Sequence, residues 1–112
     1  MIWALNRLIT KRHFALKSDG TSMIPLFQRD DVVYYQTDQF SRYLVNDCIM
    51  VKKSGKFFTH RVIYKSKNYL ITKGDNNLES DGRIYPRQII AKVYEVKIKK
   101  TFEREKIVLY SS

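Results

Sequence analysis

The chain has 112 residues, of which 44% are hydrophobic, with 4 glycines, 2 prolines and a single cysteine. This length and composition fit one globular domain and argue against a disordered, low-complexity or fibrous chain. The net charge of +10 favours anionic partners without specifying one. One cysteine cannot form an internal disulfide, and no cysteine–histidine group has metal-ligand spacing, so we expect no metal and no other cofactor.

The predicted elements begin with a short helix over residues 2–10, in which Ile2, Leu5 and Ile9 recur at helical spacing. Strands are predicted where apolar and polar residues alternate and where β-branched and aromatic residues cluster. In chain order these segments are HFALK, DVVYYQ, CIMVKK, FFTHRVIYK, YLITK, the end of IYPRQIIAKVYEVKIKK, and EREKIVLYSS. Alternation in NDCIMV makes Cys48 a small core residue rather than a reactive thiol.

The connections carry turn-forming residues. SDGTSMIP is a turn, TDQFSRYLVND an irregular connection, SGK a tight turn and GDNNLESDGR a ten-residue polar loop. The sequence therefore predicts one mainly β domain over residues 1–112, coiled or barrel-like, with a short helix in residues 1–11 and a β core in 12–112.

No apolar run approaches the 18 or so residues that span a bilayer. The apolar start MIWALN is also too short for a signal peptide. We therefore expect a cytoplasmic protein or one at a membrane surface. The basic segment IWALNRLITKR could lie on an anionic surface or pack its apolar side onto the domain.

Four polar residues stand out against the β background: Ser22 in a turn, His60 in an apolar strand, and Asp75 and Asp81 in the polar loop. Each has an ordinary explanation, as a turn serine, a hydrogen-bonded core histidine, or loop aspartates that cap their own turn. Together they supply a hydroxyl, a base and carboxylates, which are the nucleophile, base and orienting group of serine-dependent hydrolysis. The Gly-x-Ser-x-Gly motif fails at Ile24, and phosphate-loop, His-Glu-x-x-His and RNP motifs are absent from the sequence.

Several segments resemble, in order, the conserved boxes of type I signal peptidases and their S24/S26 serine peptidase relatives, which include LexA-like self-cleaving repressors. GTSMIPLF followed by DDVV is similar to the Ser-Met-x-Pro nucleophile box and the Gly-Asp-x-Val strand after it, and NDCIMV to the next such strand. THRV resembles the base box of the endoplasmic-reticulum and archaeal branch, where histidine replaces lysine. TKGDNNLESDGRIY and IIAKVYEV resemble that branch's Lys-Gly-Asp-Asn-Asn box and closing strand. The resemblance covers residues 14–96 and implies a LexA/signal-peptidase-like coiled β-sheet.

The resemblance also implies roles for individual residues. Ser22 is the expected nucleophile, His60 the general base and Asp81 the group that orients the imidazole, while Asp75 supports the site structurally or electrostatically. Thr21 and Met23 flank the nucleophile on the expected substrate and oxyanion side. The implied activity is that of an endopeptidase that cuts an extended leader or signal-type peptide after a small residue.

Three departures from the family pattern accompany these matches. Gly20 stands where many relatives have a second serine that helps to bind the oxyanion, so we expect a backbone donor or Thr21. The glycines that open the two Gly-Asp strands are replaced, by Arg29 or Asp30 in one and by Asn46 in the other, so those turns are expected to differ. With no membrane anchor recognised, we expect a soluble minimal domain that processes a dedicated peptide or docks to a membrane-bound partner.

Two other functions remain open on the sequence. A non-catalytic module could use its basic surface to hold nucleic acid or another anionic partner, although no specific nucleic acid is expected. Self-cleavage, as in the repressor relatives, ranks last because the sequence shows no obvious attached segment to cut.

Overall fold

The computed structural model describes residues 12–99, which form a single seven-stranded antiparallel sheet in the order β1-β2-β7-β3-β4-β5-β6. Helical structure within this range is limited to two 3-10 turns, Phe40–Arg42 and Pro86–Gln88. The strands are β1 His13–Lys17, β2 Val32–Gln36, β3 Cys48–Lys53, β4 Lys56–Lys65, β5 Leu70–Lys73, β6 Arg83–Ile84 and β7 Ile89–Lys97.

The prediction of a mainly β fold is confirmed. The predicted helix over residues 2–10 and the predicted last strand, EREKIVLYSS, lie outside the described residues, and the assignment of residues 1–112 to one domain stays a prediction. Within residues 12–99, no helix has the length and apolar character needed to span a membrane.

The core lies on both faces of the sheet, because four successive residues of the central strand β3 are buried. Cys48 and Met50 point into one cluster, which is completed by Phe14, Met23, Phe27, Val33, Tyr35 and Ala91. Ile49 and Val51 point into the other, with Tyr43, Val62, Leu70 and Ile84. Successive side chains of a strand alternate between faces, so this strand needs a covering layer on each side. The expectation that Cys48 is a core residue is confirmed.

Extra residues in the strands explain why the apolar alternation in the sequence is broken. Opposite β2, the register passes from Tyr34–Glu95 to Tyr35–Val93, so Tyr94 is an extra residue on β7. Val93 and Val96 therefore both pack on the first cluster although they are three residues apart. Bulges of this kind bend a strand and increase its local twist, as a coiled sheet requires.

Two turns of equivalent geometry lead into β2 and β3. Asp30 and Asn46 have positive φ angles of 72° and 81°. The following aspartates, Asp31 and Asp47, each accept a hydrogen bond from the backbone N–H three residues earlier, at 3.0 and 2.8 Å. Aspartate and asparagine enter the left-handed region more readily than most residues other than glycine. Asp30 and Asn46 therefore adopt the conformation that glycine favours, and the expectation that these turns differ from those of the family stays a prediction.

The region after β5 differs from the predicted division into one loop and one strand. The polar segment ends at β6, whose Ile84 is fully buried and pairs with Leu70. Pro86 then begins a 3-10 turn, and β7 starts only at Ile89. A two-residue strand such as β6 is too short to produce an alternating pattern, so it cannot be distinguished in the sequence from the segments on either side.

Candidate active site

The turn before β2 carries Ser22 on a compact, anchored backbone. The N–H of Ile24 donates to the carbonyl of Thr21 at 3.2 Å, and the N–H of Leu26 donates to that of Met23 at 2.8 Å. The Met23 side chain is 2% exposed and packs in the first core cluster. Because the neighbouring methionine is fixed in the core, the Ser22 side chain has a defined position beside the sheet.

His60 lies in β4 and points toward the second core cluster, since it pairs with Ile49 of β3. The residue is 6% exposed, and its ring centroid lies 4.7 Å from that of Phe58. Its Nε2 atom is 3.0 Å from Ser22 Oγ, and its Nδ1 atom is 2.6 Å from Asp81 Oδ2. Because an ionised carboxylate only accepts hydrogen bonds, a neutral imidazole in this position carries its proton on Nδ1, and its Nε2 accepts from the serine hydroxyl.

Asp81 is held at both its side chain and its backbone. Its Oδ2 atom accepts a hydrogen bond from Thr72 Oγ1 at 2.8 Å, and its N–H donates to the carbonyl of Thr72 at 2.8 Å. Lys53 Nζ donates to the carbonyl oxygens of Asp81 and Arg83, at 2.6 and 3.2 Å. These contacts fix the end of a long polar loop next to His60.

Asp75 is not part of the hydrogen-bonded line from serine to histidine to aspartate. Its two carboxylate oxygens accept from Nε and Nη2 of Arg61, both at 2.8 Å, and Arg61 Nη1 also donates to the carbonyl of Asn46 at 3.0 Å. The hydrogen bonds from Arg61 lower the pKa of the Asp75 carboxyl below its ordinary value. Of the two candidate aspartates, Asp81 contacts His60, whereas Asp75 pairs with Arg61, the residue that follows His60 in β4.

Residues 74–77 lie against the serine turn and support it through hydrogen bonds. The N–H of Asn76 donates to the carbonyl of Ser22 at 2.7 Å, and its Nδ2 donates to that of Thr21 at 3.1 Å. The N–H of Asp75 approaches the Met23 sulfur at 3.4 Å. The segment that begins the polar loop and the serine turn therefore form one hydrogen-bonded unit.

The other two predicted site residues, Thr21 and Met23, differ in their burial. Thr21 is exposed, whereas the Met23 side chain belongs to the core.

The backbone N–H of Ser22 has no hydrogen-bond partner among residues 12–99, which leaves it available to an incoming oxygen atom. In the same range, no group of three or more histidine, cysteine and acidic side chains could hold a metal ion.

Thr72 and Lys53 are the site residues that sequence reasoning missed. Thr72 lies two residues after Leu70, on the same buried face of β5. A hydroxyl on this otherwise apolar face was the signal that could have identified it. Lys53 ends β3 in a run of two lysines and has no such signal, since nothing local distinguishes it from Lys52.

Comparison with curated proteins finds that the chain is similar to signal peptidase complex catalytic subunits named SEC11. The chain is 33% identical over 98 residues to the Debaryomyces hansenii protein, which covers 79% of this chain and 57% of the relative. It is 37% identical over 73 residues to the Clavispora lusitaniae protein, covering 60% of this chain and 43% of the relative. For a Saccharomyces cerevisiae protein, the identity is 34% over 77 residues, with 62% and 45% covered.

The chain thus spans about half the length of the curated relatives it matches. No protein-family model matches it. The similarity to these catalytic subunits confirms the resemblance that the motifs indicated, to type I signal peptidases of the endoplasmic-reticulum type.

Proposed function

We propose that this protein is a serine endopeptidase of the signal peptidase type, in which Ser22, His60 and Asp81 act as nucleophile, general base and orienting carboxylate. The observation that carries the proposal is the unbroken line of two hydrogen bonds, 3.0 Å from Ser22 Oγ to His60 Nε2 and 2.6 Å from His60 Nδ1 to Asp81 Oδ2. These distances lie in or near the range in which a base takes a proton from a nucleophile.

In the acylation step, Ser22 Oγ attacks the carbonyl carbon of the scissile peptide bond and passes its proton to His60 Nε2. The carbonyl oxygen becomes an oxyanion, which accepts a hydrogen bond from the N–H of Ser22. The C–N bond then breaks, His60 returns the proton to the leaving amine, and the acyl group stays on Ser22 as an ester. Asp81 stabilises the transient imidazolium through Nδ1.

Deacylation repeats these proton transfers with water as the nucleophile. His60 Nε2 takes one proton from water, and the hydroxide equivalent attacks the ester carbonyl. The second tetrahedral intermediate collapses, the C–O bond to Ser22 breaks, and His60 returns the proton to Ser22 Oγ. The cycle consumes one water molecule and regenerates the starting protonation states, so it requires no cofactor.

The substrate in this proposal is an extended leader or signal-type peptide with a small residue before the cut. The names of the relatives, catalytic subunits of a signal peptidase complex, support this substrate class. An extended peptide can hydrogen-bond its backbone to a sheet while side-chain pockets select the residue near the cut. Because the relatives are named as subunits of a complex, the proposal includes a partner protein. It also keeps the peripheral contact with a membrane or a membrane-bound partner that we expect from the sequence.

The proposal is tested with a panel of fluorogenic leader-type peptides that have alanine before the cut and a fluorophosphonate probe that labels activated serines. We expect cleavage and labelling by the unmodified chain, and loss of both in Ser22→Ala and in His60→Ala with unchanged circular dichroism. Cleavage by both variants at the unmodified rate would refute the mechanism. If no peptide is cut and the chain instead binds arbitrary DNA with a steep salt dependence, the non-catalytic alternative replaces it.

A further inference from the structure

We propose that Thr72 is a positioning residue, which sets the geometry of the imidazole by fixing the carboxylate of Asp81. This inference rests on the proposed function, because it assigns Thr72 a part in that reaction. The Thr72 hydroxyl donates to Asp81 and to neither Ser22 nor His60, so the hydrogen bond that links it to the imidazole runs through Asp81.

Two donors share one carboxylate oxygen of Asp81. Thr72 Oγ1 lies 2.8 Å from Asp81 Oδ2, and His60 Nδ1 lies 2.6 Å from the same atom. A carboxylate cannot donate, so both the hydroxyl and the imidazole donate to it. The direction of the Thr72 hydroxyl therefore helps to decide where Oδ2 sits relative to the ring.

The backbone of Asp81 is held in place, whereas its side chain could still rotate. Its N–H donates to the Thr72 carbonyl and its own carbonyl accepts from Lys53 Nζ, so hydrogen bonds hold the backbone on both sides of the residue. Rotation about the side-chain bonds could still carry Oδ2 away from His60. The bond from the Thr72 hydroxyl opposes that rotation.

The Thr72 hydroxyl occupies a position in the sheet where packing requires no polar atom. Thr72 is fully buried and pairs with Val62 of β4, next to the apolar Leu70 and Ile84. Packing alone would be met as well by valine, which has the same shape and buries no polar atom. A buried hydroxyl costs free energy unless it is hydrogen-bonded, and its bond here goes to the proposed orienting carboxylate.

Thr72→Val is the main test, since it removes the hydroxyl and keeps the shape. We expect kcat to fall about 10- to 100-fold, the range that follows from losing one hydrogen bond to a charged group. KM should change less than about twofold, because no substrate contact is lost. Thr72→Ser keeps the donor and should restore most of kcat.

Thr59→Val is the matched control. Thr59 Oγ1 makes a hydrogen bond of similar length, 2.7 Å, to Tyr35 OH, and it lies in the neighbouring strand β4 without a hydrogen bond to the proposed catalytic residues. Both variants remove one threonine hydroxyl from one hydrogen bond, so both are expected to lose some thermal stability. A kcat for Thr72→Val no lower than that of Thr59→Val would overturn the inference.

A second readout separates this inference from the proposed function. In the resting protein, the proton on His60 Nδ1 should give a downfield nuclear magnetic resonance signal that moves or broadens in Thr72→Val and stays in place in Thr59→Val. If the unmodified chain and Ser22→Ala cleave every peptide equally slowly, the proposed function fails, and this signal still decides whether Thr72 positions Asp81. A signal unaffected by Thr72→Val would refute the positioning role even in an active enzyme.

Discussion

The carbonyl oxygen of Ser22 accepts a hydrogen bond from the backbone N–H of Asn76 at 2.7 Å. The close approach of these two segments depends on Gly74. A Cβ atom at position 74 would lie 2.9 Å from the Ser22 carbonyl oxygen and 2.7 Å from Asn77 Nδ2. The amide end of Asn77 could move aside, whereas the backbone oxygen of the proposed nucleophile could move only with its turn.

Gly74→Ala is therefore expected to displace the serine turn. Overpacking of this kind costs about 1–3 kcal/mol of folding free energy, and a shift of Ser22 Oγ by a few tenths of an ångström should lower kcat/KM at least about tenfold. Thermal unfolding and peptide cleavage measure the two effects. Gly20→Ala serves as the stability control, because a Cβ at position 20 would have no neighbour within 4 Å. Equal melting temperatures for the two variants would contradict the argument.

Replacing each loop aspartate separately should show which one orients the His60 imidazole and which one only supports the site. Asp81→Asn is expected to lower kcat by about 10³- to 10⁴-fold, because an amide can hold the imidazole in the wrong tautomer and cannot balance its positive charge. Asp75→Asn should lower kcat less than about tenfold, since Asp75 contacts Arg61 rather than His60. Steady-state kinetics on one peptide gives both values. A larger loss for Asp75→Asn than for Asp81→Asn would reverse the assignment.

The sequence predicts most of the strands and the residues that meet at the site, because both depend on local patterns. His60 stands out as a polar residue in an apolar strand, and Ser22 lies in a recognisable turn. The sequence does not predict the partner of Asp75, because the ion pair with Arg61 depends on the register between distant segments. Nor does it predict that Asp81 shares an oxygen between His60 and Thr72, which follows from the pairing of β4 with β5.

The Cys48 thiol should be unreactive in the folded protein. Burial raises its pKa from 9.0 to about 11, and the residue is 6% exposed. At pH 8 the thiolate fraction is then about 100-fold lower than for an ordinary thiol, before the lack of access is considered. We expect iodoacetamide to label the native protein at least that much more slowly than the protein unfolded in guanidinium chloride.

An exposed cysteine supplies the control for this measurement. Ser80 is exposed in the polar loop, so the double variant Cys48→Ala, Ser80→Cys should react in the native state almost as fast as when unfolded. If native Cys48 reacts as quickly as that exposed thiol, its assignment to the core would be wrong.

The ion pair between Asp75 and Arg61 should make stability depend on pH in the acid range. Hydrogen bonds from Arg61 lower the pKa of Asp75 below the ordinary 3.8, so the folded state binds this proton less readily than the unfolded chain. The pair therefore contributes its full stability above the unfolded pKa, and that contribution is lost as the pH falls through the lower, folded pKa.

Asp75→Asn should accordingly lower the free energy of unfolding by about 1 kcal/mol at pH 7, the upper part of the range for partly exposed pairs. The difference from the unmodified chain should shrink as the pH falls below about 4. Urea unfolding at several pH values measures this difference directly. Glu79→Gln provides the control, since Glu79 is an exposed carboxylate of the same loop with no ion pair among residues 12–99. A pH-independent difference for Asp75→Asn, parallel to that for Glu79→Gln, would mean that the ion pair does not stabilise the fold.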